Sequence, residues 1–98
     1  MEINITHGDV LVISLKGRLD TITSQDLITA FNNEEINEPL VSIDMKELEY
    51  ISSAGLRVLL AIKKDLTSKG KTLEICNLNS VCLEVFKVTG FINILTVK

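Results

Sequence analysis

Two adjacent hydroxyls, Ser52 and Ser53, stand between an apolar run, Leu40–Met45, and a periodic helical pattern that begins at Gly55. A helix start carries unpaired backbone N–H groups and the positive end of the macrodipole, so negative charge is favoured there. A phosphate on Ser53 would be accommodated at such a position, and the charge it adds would be felt by anything docked on that surface. Serine is also among the commonest helix N-caps, and the spacing equally suits Ser53 as a plain cap with Ser52 just before it. A serine needs no activating neighbour to accept phosphate, because the kinase supplies base and metal. Catalysis by the chain itself is a different matter. Its single histidine, His7, lies in a predicted hairpin turn and is expected to be an exposed turn residue, far from any Ser–His–acid arrangement. Ser53 is expected to be the substrate of another enzyme, and the chain not to be an enzyme.

Arg57 follows Ser53 by four residues and shares its helix face. A cation in the first turn works against the dipole, which a phosphate on Ser53 or an acidic partner surface would offset. Asp20 and Asp44 each fall late in or just after a predicted strand and are expected to reach the same edge of the sheet. Paired carboxylates can act as acid and base or hold a metal, but two aspartates without further ligands are a thin set, and turn chemistry explains each alone. Cys76 and Cys82 lack the paired spacing of a metal site and are expected to be reduced, buried thiols. The five glycines are scattered at turns, so no phosphate-cradling loop is present. No cofactor and no metal are expected.

The elements that must position these residues are legible from periodicity. Ile3 and Ile5 alternate with polar residues, His7-Gly8-Asp9 turns the chain, and Leu11, Ile13 and Leu15 form one face of the next run, which together predict a hairpin. Thr23 is predicted to cap the first helix, with Asp26 completing a capping box and Ile22 and Leu27 forming a hydrophobic staple. That helix buries Leu27, Ile28 and Phe31 and ends before Pro39. A strand at Leu40–Met45 leads through the serine loop to a helix with the stripe Val58, Leu59, Ile62 and Leu66, closed by Gly70. Lys63, Lys64, Lys69 and Lys71 near its end are expected to be a solvated face complementing the dipole. Leu73 and Ile75 mark a further strand. Asn79 or Ser80 caps a helix carrying Val81, Cys82, Val85 and Phe86, Gly90 stops it, and Phe91–Val97 are predicted to be a last apolar strand. Ile92, Ile94 and Leu95 there suit either core or interface. The order is ββαβαβαβ, an α/β domain with a mixed sheet and helices packed mainly on one face.

Ninety-eight residues, 46% apolar and 23% charged, fit one globular domain spanning 1–98. A formal charge of −3 and the lack of a basic, aromatic-laced patch weigh against binding nucleic acid. No apolar run reaches the length needed to cross a bilayer, and Met1-Glu2-Ile3 does not open a signal peptide, so a cytoplasmic location is expected.

Ser52-Ser53-Ala54-Gly55-Leu56 resembles the phosphorylation loop of bacterial anti-sigma factor antagonists of the STAS domain family, usually Asp-Ser-Ser/Ala-Gly-Leu after a strand. Gly17-Arg18-Leu19-Asp20 resembles that family's Gly-x-Leu-Asp turn, and the likeness runs over essentially the whole chain, including Thr89-Gly90-Phe91. One departure is plain: Ser52 stands where the family usually has Asp. The resemblance implies a single STAS-type domain that, unphosphorylated, sequesters an anti-sigma factor, typically a serine-protein kinase of the histidine-kinase-like ATPase superfamily. That binding would free a sigma factor to join RNA polymerase. The kinase would then phosphorylate Ser53, or less readily Ser52, and a metal-dependent serine phosphatase would reverse it. Asp20, Tyr50, Ser52, Ser53, Gly55, Leu56 and Arg57 would form the docking surface of a monomeric binding module. The same fold also serves as a subunit of lipid- or anion-transport complexes, and a phosphatase or sensor kinase in a sigma-independent pathway is a further candidate partner.

Overall fold

A computed structural model describes residues 1–98. Strands β1 (Glu2–Thr6) and β2 (Leu11–Leu19) form the predicted antiparallel hairpin. Helix α1 (Thr23–Asn33) leads to β3 (Leu40–Ile51), α2 (Ser53–Ser68) to β4 (Thr72–Cys76), and α3 (Ser80–Thr89) through a 3-10 turn (Phe91–Asn93) to β5 (Thr96–Val97). The sheet order is β1-β2-β3-β4-β5, with every pair after the first parallel.

Alternation decides which face is covered. Leu11, Ile13 and Leu15 on β2, Val41, Ile43 and Met45 on β3 and Leu73 and Ile75 on β4 are buried in one core with Leu27, Phe31, Leu59, Ile62, Leu66, Cys82 and Phe86 from the helices. Of the intervening residues on the other face, Ser14, Asp44 and Glu74 are partly exposed. The mixed sheet with helices on one face is therefore as expected.

Three element boundaries differ from the sequence expectation. β3 is twelve residues long, running six past Met45. Beyond Asp44 its pairing with β2 slips twice, so that Lys16 opposes Glu47 and Arg18 opposes Tyr50. The two extra residues on β3 change the spacing of its buried side chains to Met45, Leu48 and Ile51, a period of three that reads as neither strand nor helix. The Phe91–Val97 run is mostly not strand. Left-handed Gly90 (φ 80°) starts a tight turn in which Ile94 N–H and Leu95 N–H both donate to Phe91 O, leaving two residues to pair with β4. Leu95 is core, whereas Ile94 is 45% exposed.

The first helix is capped differently from the predicted box. Ile22, not Thr23, occupies the cap position and offers no side-chain hydrogen bond. Thr23 turns its hydroxyl back to Arg18 O at 2.7 Å and accepts from Asp20 N–H at 2.8 Å. Ile22 is 76% exposed, so it does not staple onto buried Leu27. Two other ends follow expectation: Asn79 accepts from Cys82 N–H at 2.8 Å, and Gly70 adopts φ 73° after α2.

Among the glycines, Gly55 has the closest surroundings. A Cβ there would lie 2.8 Å from Leu19 Cγ, 2.9 Å from Leu19 O and 3.0 Å from Ile51 Cγ1. Backbone cannot give way as a flexible side chain would, so Gly55→Ala should destabilise the domain by about 1–3 kcal/mol, as overpacking does elsewhere. Urea unfolding measures this, and a variant within error of wild type would contradict the close approach.

Candidate functional site

The site is built where β2 ends, β3 ends and α2 begins. Parallel pairing sets Leu19 opposite Ile51, and Ser52 N–H donates to Leu19 O at 2.9 Å. The next residue on each chain segment, Asp20 and Ser53, is thereby delivered to the same rim of the sheet.

Ser52 rather than Ser53 is the N-cap of α2. Its backbone is extended (φ −94°, ψ 172°), its Oγ accepts from Gly55 N–H at 3.2 Å, and its carbonyl accepts from Leu56 N–H at 3.0 Å. Ser53 is consequently the first helical residue. It is exposed, and its hydroxyl has no hydrogen-bond partner in the chain, whereas Ser52 is half-buried and engaged. Amides in a first turn lack a carbonyl one turn back in the helix. No acidic side chain occupies the first turn of this sixteen-residue helix, so its N-terminal field is not neutralised from within.

Arg57 is exposed, and its Nε donates to Ser53 O at 3.4 Å. Asp20 is held by the turn it caps: its Oδ1 accepts from Thr23 N–H at 2.9 Å and Ile22 N–H at 3.0 Å. The Thr23 N–H is the main reason its carboxyl lies below the ordinary range, with the Thr23 hydroxyl, the Ile22 N–H and the Arg18 charge adding to this against some desolvation. Tyr50, half-exposed, lies beneath the Arg18 guanidinium at 4.5 Å from the ring centroid, a cation–π contact next to the rim.

Two residues placed on the docking surface from sequence lie beneath it. Gly55 and Leu56 are buried, Leu56 at 2% exposure, so they shape the surface by packing α2 on the sheet and do not line it. Asp44 is not at this rim either. It pairs with Ser14 in the body of β3, seven residues before Ile51, and its Oδ1 accepts from Lys46 N–H and from Asn77 Nδ2, both at 3.0 Å. Asp20 and Asp44 therefore form no carboxylate pair. Cys82 is buried, with its thiol pushed up by desolvation, while Cys76 is only partly so and contacts Ser42 Oγ at 3.3 Å. The residue that sequence analysis passed over is Ile22, assigned to a staple but standing exposed between Asp20 and α1. The signal was available, since an aliphatic residue is disfavoured at a helix cap.

Residues 3–98 match the STAS domain family, and the chain belongs to it. A relative from Bordetella bronchiseptica, provisionally named anti-sigma factor antagonist BtrV, is 34% identical over 90% of this chain and 77% of its own length. The anti-sigma F factor antagonist of Paenibacillus polymyxa is 28% identical over 93% of this chain and 80% of its own. In fold, the chain is similar to the crystal structure of an anti-sigma factor antagonist from Mycobacterium paratuberculosis, with a TM-score of 0.85 over 98% of this chain and 83% of that one, at 21% identity.

The two serines separate by role. Ser52→Ala removes a cap and should cost about 1 kcal/mol, whereas Ser53→Ala, which loses no hydrogen bond, should stay within about 0.5 kcal/mol of wild type. Equal losses in urea unfolding would contradict this division. A carboxyl held below its unfolded value contributes stability that is present above that value and lost as pH falls through the folded one. Asp20→Asn keeps an acceptor but not the titration, so its stability should fall less steeply than wild type on acidification below about pH 4, as thermal melts would record.

Proposed function

We propose that this chain is an anti-sigma factor antagonist whose binding surface is switched by phosphorylation of Ser53. The observation that carries the assignment of the acceptor is the contrast between the two hydroxyls: Ser52 caps α2, and Ser53 is exposed and unengaged at the positive end of that helix. The antagonist names of the relatives favour this reading over a transport-complex subunit.

In the unphosphorylated state the rim formed by Ser53, Ser52, Asp20, Tyr50 and Arg57 meets an anti-sigma factor that is also a serine-protein kinase. The kinase transfers phosphate to the Ser53 hydroxyl, and a serine phosphatase removes it. The helix N-terminus and Arg57 accommodate the dianion within this chain. The partner's surface, complementary to a neutral hydroxyl, meets repulsion and a desolvation cost instead. A coupling of about 1–3 kcal/mol, typical of such switches, would weaken binding about 5- to 150-fold.

A pull-down from source-cell lysate tests the proposal, with wild type, Ser53→Ala and Ser53→Asp as baits and mass spectrometry of bound proteins and of both serines. Wild type and Ser53→Ala should retain an ATPase-type serine kinase, Ser53→Asp should lose it, and phosphate should map to Ser53. Recovery of the same transporter ATPase by all three baits, with neither serine modified, would remove the sigma-factor mechanism. A narrower expectation concerns Arg57. Phosphorylation should raise the melting temperature more in wild type than in Arg57→Ala, and equal gains would exclude Arg57 as the phosphate's partner.

A further inference from the structure

The end of the domain remote from Ser53 holds its only imidazole. His7, in the β1–β2 turn, places Nδ1 2.8 Å from Glu38 Oε2 and Nε2 2.5 Å from Glu34 Oε1. Glu34 ends α1 and Glu38 precedes β3, so one ring bridges the hairpin turn to both ends of the irregular α1–β3 connection. The side chain of Glu38 is 8% exposed and also accepts from Gly8 N–H at 3.3 Å and Asn37 N–H at 3.1 Å. Its backbone carbonyl accepts from Lys71 Nζ at 2.9 Å, which ties in the turn between α2 and β4. Around the cluster, Asp9 lies two residues on in the same turn, Glu35 follows Glu34, and Asp65 and Lys69 of the α2 end share a groove with Glu34 and pair with each other at 3.0 Å.

The protonation state follows from donor counting. Ionised carboxylate oxygens only accept, and a neutral imidazole carries one N–H. A ring facing a carboxylate from each nitrogen satisfies both only as the imidazolium, with two donors and a positive charge between two negative ones. We propose that His7 is a proton-operated clasp, fastening the β1–β2 hairpin to the α1–β3 connection when protonated and releasing it on deprotonation. His7 is the exposed turn residue expected from sequence, and its ring is engaged by two carboxylates.

The sign of the pH dependence is fixed by the same contacts. Glu34 first, then Glu38, hold the His7 pKa above its ordinary value of 6.5. Stability from that group is complete below the unfolded value and lost as pH rises through the folded one. Burial pushes the Glu38 carboxyl up, but hydrogen bonds from its own backbone and His7, and the imidazolium charge, outweigh this and leave it below 4.5. Its contribution is present above that value and lost as pH falls. The clasp is therefore closed below the ordinary imidazole value and opens as pH rises through the raised, folded one.

A single histidine makes the test direct. The full chain, carbon-13-labelled at histidine, is titrated by NMR, and urea unfolding midpoints are compared at about pH 6 and pH 8.5 for wild type and His7→Gln. The expected results are an imidazole titration midpoint above 6.5 that falls back in Glu34→Gln, and a loss of urea midpoint between the two pH values larger in wild type than in His7→Gln. A wild-type midpoint at or below 6.5, or parallel stability profiles, would overturn the proposal. The wild-type titration decides the matter by itself if a variant fails to fold.

Discussion

The site depends on one steric constraint: α2 enters the fold with its first turn pressed against the end of β2. That approach is possible because residue 55 has no side chain to interpose between the helix and Leu19. Once the helix is seated, Ser52 N–H reaches Leu19 O, the Ser52 side chain faces the Gly55 amide, and Ser53 is turned outward as the next residue. Asp20 is fixed by the same contact, because it follows the carbonyl that Ser52 binds. The position of each polar group at the rim is thus set by apolar packing and backbone bonds beneath it. Leu56 belongs to that foundation, which is why its burial is compatible with the importance of its neighbourhood.

The electrostatics of the rim follow from which lone pairs are already in use. The Asp20 carboxylate is committed to the α1 turn, accepting two backbone N–H groups. Ser52 performs the capping that the family's usual aspartate could also perform, but without adding a charge beside Ser53. The helix dipole and Arg57 are then the nearest compensating influences on a phosphate at Ser53, and neither is matched by an acidic side chain in the first turn.

Much of this was legible in sequence because it rests on local rules. Alternating Leu11, Ile13 and Leu15, the stripe from Leu59 to Leu66, and glycines at 70 and 90 each specify an element through its own period or terminus. What was not legible rests on pairing between distant segments. The continuation of β3 through Lys46, Glu47 and Glu49 is hidden because two bulges replace the period of two with a period of three. The cap of α1 is misassigned from sequence because Thr23, the better cap by type, is recruited by Arg18 and Asp20 across the turn. His7 looks idle until its two carboxylates, 27 and 31 residues away, are folded against it. Which serine caps α2 was likewise open in sequence, since either suits a cap and only the backbone decides which hydroxyl is consumed.

That last decision bears on how a modification at Ser53 would act. The hydroxyl of Ser53 is exposed and makes no hydrogen bond in the chain, so a phosphate there would break none. The cap at Ser52 and the core residues Leu59, Ile62 and Leu66 that anchor α2 are left intact, and a dianion at a helix N-terminus favours the helical state. Nothing local drives the fold toward a second arrangement. The change would be in charge and shape at the rim, and its effect would be felt by whatever is bound there. A switch of this kind needs a rigid platform more than a mobile one, because a loop that could rearrange would relieve the repulsion that separates partners. The close seating of Gly55 against Leu19 supplies that rigidity at the point where the phosphate would be placed.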